Sequence, residues 1–172
     1  FVASGKPVIG ICNGFQALVK AGILPSRAMQ TPERRATLTH NENGRFECRW
    51  VSLAASEGPC LWTRGIVSPI FCPVAHGEGR FVADPRTLAM LEGEGRVVVR
   101  YAPAGAGVEG NPNGSVNDIA GIANAAGTVV GLMPHPERCV DAKLGSDAGL
   151  PFFHSIAAIA ALRDRGVVAG AT

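Results

Sequence analysis

Little of this chain is charged. Asp, Glu, Lys and Arg make up 17% of its 172 residues, the formal net charge is +2, and the cations are scattered rather than clustered. A nucleic-acid-binding footprint is therefore absent. No apolar stretch approaches the roughly 20 residues that span a bilayer, and no charged n-region precedes an apolar h-region as in a secretory leader. The five cysteines, at 12, 48, 60, 72 and 139, form no Cys-x-x-Cys pair. Their odd count and wide spacing argue against a disulfide framework and a structural zinc site, and fit a reduced, cytoplasmic compartment. The equal spacing of Cys48, Cys60 and Cys72 is not matched by any other recurring feature, so it marks no repeat. An initiator Met is missing too. Phe1-Val2-Ala3-Ser4-Gly5-Lys6 resembles the end of a helix with a glycine stop, so the polypeptide is expected to begin upstream. What is present, 47% apolar residues in a length suited to one core, describes a single globular domain over 1–172.

The periodicity predicts an α/β arrangement. Residues 7–11 form a short apolar strand of the kind buried on both faces of a sheet. A helix over 13–21 follows, with Phe15, Leu18 and Val19 inward and Gly22 as its stop. Residues 26–45 read as polar and irregular, ending in a turn at Asn41–Gly44. Further strands are expected over 46–53, 70–74, 79–82, 96–101, 119–123 and 128–133, with a helix over 85–92. A last helix begins near Pro151, carries Phe152, Ile156 and Ile159 at helical spacing, and ends at 163–166.

The apolar run Pro7-Val8-Ile9 leads directly into Gly10-Ile11-Cys12-Asn13-Gly14. A strand ending in Gly-x-Cys-x-Gly before a helix reads as a nucleophile elbow. The central residue sits in a strained turn, and glycines two residues to either side relieve crowding. The following helix is expected to aim its N–H groups at the sulfur and favour thiolate. A small buried hydrophobe is the plain alternative for any cysteine, and it is kept for the other four. Far downstream, Pro134-His135-Pro136-Glu137 follows an apolar strand. If the chain there is extended, His135 and Glu137 project to one side, and the carboxylate can hold one ring nitrogen while turning the other toward Cys12. An exposed loop histidine beside a solvated glutamate is the alternative for that pair.

Four segments in order carry a resemblance over essentially the whole chain: Gly10–Gln16, Ala75–Phe81 (Ala-His-Gly-Glu-Gly-Arg-Phe), Asn111–Ser115 (Asn-Pro-Asn-Gly-Ser) and Gly131–Arg138. The chain resembles the class I, triad-type glutamine amidotransferases. Its two middle loops resemble those of the branch serving purine biosynthesis. That resemblance implies a flavodoxin-like sheet with helices on both faces, with N-terminal strands of the family lying outside these residues. Those strands bring a Gly-rich loop with a second oxyanion donor, and losing one such donor costs roughly 10²–10³ in rate.

The resemblance further implies Cys12 as nucleophile, His135 as general base and acid, and Glu137 as its support. It implies the Asn13 N–H as an oxyanion donor and Gln16 in the glutamine pocket. His76 and Glu78 are assigned to a loop over that pocket, with His76 substrate-binding, or to the synthetase-facing side, or simply to a glycine-rich turn, and Asn111, Asn113 and Ser115 to binding or to turn formation. The implied reaction releases ammonia from glutamine to a synthetase subunit that binds ATP, Mg and formylglycinamide ribonucleotide, with a small bridging subunit as a further partner. No Gly-x-x-x-x-Gly-Lys loop occurs in this chain, in keeping with ATP bound elsewhere. A cysteine peptidase, a gamma-glutamyl hydrolase and a non-catalytic binding module are the competing readings.

Overall fold

Two apolar clusters on opposite faces of one curled sheet organise the protein. The computed structural model describes residues 1–26, 35–66, 69–103, 105, 110–154 and 156–157. The elements are β1 (Val8–Ile11), α1 (Asn13–Lys20), β2 (Ala36–Thr39), β3 (Glu47–Ala55), β4 (Ile70–His76), β5 (Arg80–Ala83), α2 (Pro85–Gly93), β6 (Val97–Ala102), β7 (Ile119–Ala123) and β8 (Val129–Leu132). The main sheet runs in the order β1-β8-β7-β6-β3-β4, and β2 pairs with β5 in a separate two-stranded ribbon. Within the main sheet β1 and β8 are parallel, and the remaining pairs are antiparallel.

Alternation along β8 shows how the faces divide. Val129 joins Phe15, Val19, Leu24, Phe81 and Leu91 on the side of α1 and α2, whereas Val130 and Leu132 join Leu53, Val74, Val99 and Phe152 on the other. Phe152 lies in a helical segment over 150–154, so helices cover both faces as the resemblance implied. Ile159 and the end of that helix lie outside the described residues. α2 begins conventionally, with Asp84 accepting from the Thr87 N–H at 2.9 Å and Pro85 opening the first turn.

One element departs from the sequence reading. Residues 36–39, expected to be irregular, form β2 and pair Ala36–Thr39 with Arg80–Ala83. Only Ala36 and Leu38 of β2 face inward. Four residues with two apolar side chains give too little alternation to stand out from a polar surround.

The sheet curls so far that its last strand reaches the residues following β1 and β8. The His135 N–H donates to the Pro73 carbonyl of β4 at 2.9 Å, and the Cys12 thiol donates to the Ala75 carbonyl of the same strand at 3.8 Å. Gly131 makes the packing under this junction possible, because a Cβ there would lie 2.1 Å from the fully buried Phe15 ring. In the full-length protein, Gly131→Ala is expected to lower stability by about 1–3 kcal/mol through overpacking, read as a lower urea midpoint. An unchanged midpoint would show that α1 is not pressed on β8 in this way.

Candidate active site

Cys12 is the hinge between β1 and α1. Its N–H completes the parallel ladder by donating to the Leu132 carbonyl at 2.8 Å, and its own carbonyl accepts from Phe15 and Gln16 N–H groups at the start of the helix. Between those two engagements its backbone is forced to φ 52°, ψ −107°. A non-glycine residue in such a conformation costs of order 1–3 kcal/mol, and the β1 ladder on one side and α1 on the other hold it there. Gly10 is obligatory for this turn, since a Cβ would approach Leu18 Cδ1 to 2.5 Å and the Gly14 carbonyl carbon to 2.7 Å. Gly14 differs from the expectation. A Cβ on it would meet nothing within 4 Å, so the crowding comes from the Gly10 side alone.

The state of the sulfur also departs from the sequence reading. Half-burial pushes the Cys12 thiol above its ordinary pKa. The Asn13 N–H and the Arg138 charge act in the opposite direction without overcoming it, and Glu137 adds to the rise. Helix-end stabilisation of thiolate is present but smaller than the desolvation cost. Cys12 therefore rests as a thiol, which is the form that can donate to the Ala75 carbonyl.

His135 and Glu137 form the second half of the site. Their contact is made by a turn and not by an extended chain. Pro136–Arg138 is a single 3-10 turn with His135 at its N-cap, and it brings Glu137 Oε1 to 2.6 Å from His135 Nδ1. Cys139 braces this turn from beneath, its buried thiol donating to the Pro136 carbonyl at 3.3 Å. With Nδ1–H committed to the carboxylate, Nε2 is left as the acceptor nitrogen. Nε2 is buried and, among the described residues, has no hydrogen-bond partner. Buried polar atoms without partners are rare and costly, and they concentrate where a ligand or a reacting group completes them. The ring sits three residues beyond Leu132, the residue paired with Ile11 immediately before Cys12. The elbow and the histidine thus leave adjacent strands at the same end.

Comparison with known proteins gives this geometry a lineage. Residues 1–148 match the CobB/CobQ-like glutamine amidotransferase domain. The chain belongs to that family. Among curated proteins, this amidotransferase domain is 48% identical over 158 residues to phosphoribosylformylglycinamidine synthase subunit PurQ of Treponema denticola, covering 81% of this chain and 58% of that protein. It is 48% identical over 157 residues to the Thermus thermophilus subunit of the same name, covering 89% of this chain and 64% of that protein. The chain thus spans about three-fifths of the length of these relatives. Among solved structures, PurLQS from Thermotoga maritima superposes with a TM-score of 0.73 at 34% identity, over 92% of this chain and 64% of that one. The glutaminase domain of Trypanosoma brucei CTPS, solved with acivicin bound, shares the fold with a TM-score of 0.54 at 12% identity, over 91% of this chain and 62% of that one.

The remaining candidate residues of the amidotransferase domain separate into two groups. Asn13 and Gln16 lie at the elbow, where the Asn13 N–H faces the sulfur and the Gln16 side-chain amide donates to the Glu78 carbonyl at 2.7 Å. The Glu78 carboxylate is exposed and lies 3.6 Å from His40. His76, by contrast, is 4% exposed. Its Nδ1–H donates to Asn41 Oδ1 at 3.1 Å, and its Nε2 accepts from Asn113 Nδ2 at 3.5 Å. A ring with both nitrogens spent inside the fold has none to offer a substrate. Burial, with the nearby His135 adding, pushes its pKa down to about 4, so it is neutral near pH 7.

Asn113 and Ser115 are buried in the same network. The Ser115 hydroxyl donates to Asn113 Oδ1 at 2.7 Å and accepts from the Phe81 N–H at 2.9 Å. Asn111 caps its own turn by accepting from the Asn113 and Gly114 N–H groups. Sequence reasoning missed the Ala75 and Pro73 carbonyls, which no residue type advertises, and Asn41, read only as a turn former.

The raised pKa of Cys12 has a direct consequence. Alkylation of Cys12 in the full-length protein by iodoacetamide, followed by peptide mapping, is expected to go on accelerating with pH above the ordinary thiol range, because burial raises the Cys12 pKa. A plateau below pH 8 would show instead that the helix terminus outweighs burial.

Proposed function

We propose that the full protein is the glutaminase component of phosphoribosylformylglycinamidine synthase, hydrolysing glutamine through a thioester on Cys12. The observation that carries the chemistry is the buried Nε2 of His135, unpartnered among the described residues, with Nδ1 engaged by Glu137, at the sheet end that also carries the strained Cys12.

The steps follow from these positions. The Cys12 thiol turns from the Ala75 carbonyl to His135 Nε2 and gives up its proton as sulfur attacks the side-chain amide carbon of glutamine. Glu137 stabilises the imidazolium formed. The Asn13 N–H, already facing the sulfur, donates to the developing oxyanion. His135 returns the proton to the departing ammonia, leaving the glutamyl thioester, and then activates water to release glutamate. Gln16 lines the glutamine pocket beside the elbow. The parked thiol also explains how idle hydrolysis is restrained. The resting sulfur is protonated and directed at a carbonyl, and docking of the partner is the event that redirects it.

The ammonia passes to a synthetase subunit that holds ATP, Mg and formylglycinamide ribonucleotide, with a small bridging subunit completing a cytoplasmic assembly. The names of the curated relatives, and the solved PurLQS structure, support this assignment.

The test is labelling with the glutamine analogue diazo-oxo-norleucine on the full-length protein with its synthetase. A single adduct on Cys12, abolished by Cys12→Ala, is expected. His135→Ala is expected to lower glutamine hydrolysis by about 10²–10⁴-fold, the usual contribution of general acid–base catalysis. No adduct on the folded complex would overturn the amidotransferase reading.

A further inference from the structure

The loop Gly77–Gly79 between β4 and β5 is fastened from three directions. Asn41 Oδ1 accepts from the His76 ring at 3.1 Å and from the Gly79 N–H at 3.0 Å, while Asn41 Nδ2 donates to the His76 carbonyl at 2.8 Å. Asn113 Nδ2 donates to the Gly79 carbonyl at 3.0 Å and lies 3.3 Å from the Tyr101 hydroxyl, in addition to its bond to His76 Nε2. The Asn41 N–H donates in turn to the Gly77 carbonyl at 2.9 Å. The His76 ring fills the inside of the loop so closely that a Cβ on Gly79 would fall 2.3 Å from Nδ1 and Cε1. Asn41, His76 and Asn113 are each at most 4% exposed.

This degree of burial and satisfaction is expensive to assemble, because any member left unpaired costs its desolvation. The exposed tip of the loop is what the network fixes. Glu78 is the residue between the two fastened glycines, and its carbonyl is the acceptor that orients the Gln16 amide at 2.7 Å on the first turns of the elbow helix.

We propose that His76 is a positioning residue for the glutamine pocket, acting through the Gly77–Gly79 loop and the Glu78 carbonyl on Gln16. It touches no substrate. Neutral His76 donates on one side and accepts on the other, a combination that a charged imidazolium cannot supply, and it thereby joins the segments carrying Asn41 and Asn113 around one loop. The role rests on the glutaminase reading above.

The experiment measures glutamine hydrolysis by the full-length protein with its synthetase, for wild type, His76→Asn, His76→Leu, Gln16→Leu and the His76→Leu/Gln16→Leu pair, with active sites titrated by diazo-oxo-norleucine. His76→Leu removes both ring bonds and is expected to raise KM for glutamine by about three- to tenfold, with kcat per titrated site within a factor of about two. His76→Asn, whose amide can still donate toward Asn41, is expected to show a smaller rise and keeps the test open if the Leu variant does not fold. The effect of His76→Leu is expected to disappear in the Gln16→Leu background, because the two act in series. A role in stability alone would lower the titrated active fraction and leave KM unchanged in both variants, which would overturn the proposal. Full additivity of the two substitutions would overturn it as well. A wild-type complex that neither hydrolyses glutamine nor takes the label would remove the glutaminase reading itself, an outcome distinct from either of these.

Discussion

The curl of the main sheet is the constraint on which the site depends. In strand order β1 and β4 stand at opposite margins, yet the residues following β1 and β8 are bonded to Pro73 and Ala75 of β4. Without that closure the elbow would still turn and His135 would still meet Glu137. The thiol, however, would lose its resting acceptor and the histidine backbone its anchor. The parallel β1–β8 register then sets the relative height of the two groups, because Ile11 opposite Leu132 places Cys12 and His135 beyond the same end of the ladder. Bringing residues this distant in sequence to one end of the sheet is thus a property of sheet geometry first and of side chains second.

Electrostatics at the site are divided between opposing effects. The elbow offers Cys12 an N–H donor and a nearby arginine, both of which favour thiolate, yet the half-buried pocket disfavours the charge more strongly. A thiol that is not ionised at rest needs a base, the role proposed for His135. Glu137 engages Nδ1 of His135, and Nε2 is left buried and, among the described residues, unpartnered. In the proposed mechanism the two halves act together, the sulfur turning from the Ala75 carbonyl to the imidazole.

Much of this was legible in the sequence because the site is built from short motifs with strong local geometry. Gly10-Ile11-Cys12-Asn13-Gly14 after an apolar run specifies a strained strand-to-helix turn, and the structure has it at φ 52°. Pro134-His135-Pro136-Glu137 announced a histidine–carboxylate pair. Its 3-10 form was not legible, since a proline after the histidine is compatible with an extended chain and also with the start of a tight turn. Strand β2 was hidden by its brevity. The roles of His76, Asn41 and Asn113 could not be read from residue type, because polar residues in glycine-rich loops look alike whether they face solvent or one another. Only burial separates a ligand-binding loop from a loop that braces one, and burial here depends on three segments meeting. The sulfur's protonation state was misjudged for a related reason. A helix terminus is visible in sequence, whereas the desolvation opposing it is set by the fold around it.

The most direct test of the central claim is to trap the covalent intermediate. The full-length protein with its synthetase, fed glutamine and quenched in acid within a turnover, would be mapped by mass spectrometry. The account predicts one glutamyl group in thioester linkage on the Cys12 peptide, labile to hydroxylamine and accumulating differently when His135 is altered. A glutamyl group on Cys48, Cys60, Cys72 or Cys139, or steady ammonia release with no acyl-enzyme at any time point, would contradict it.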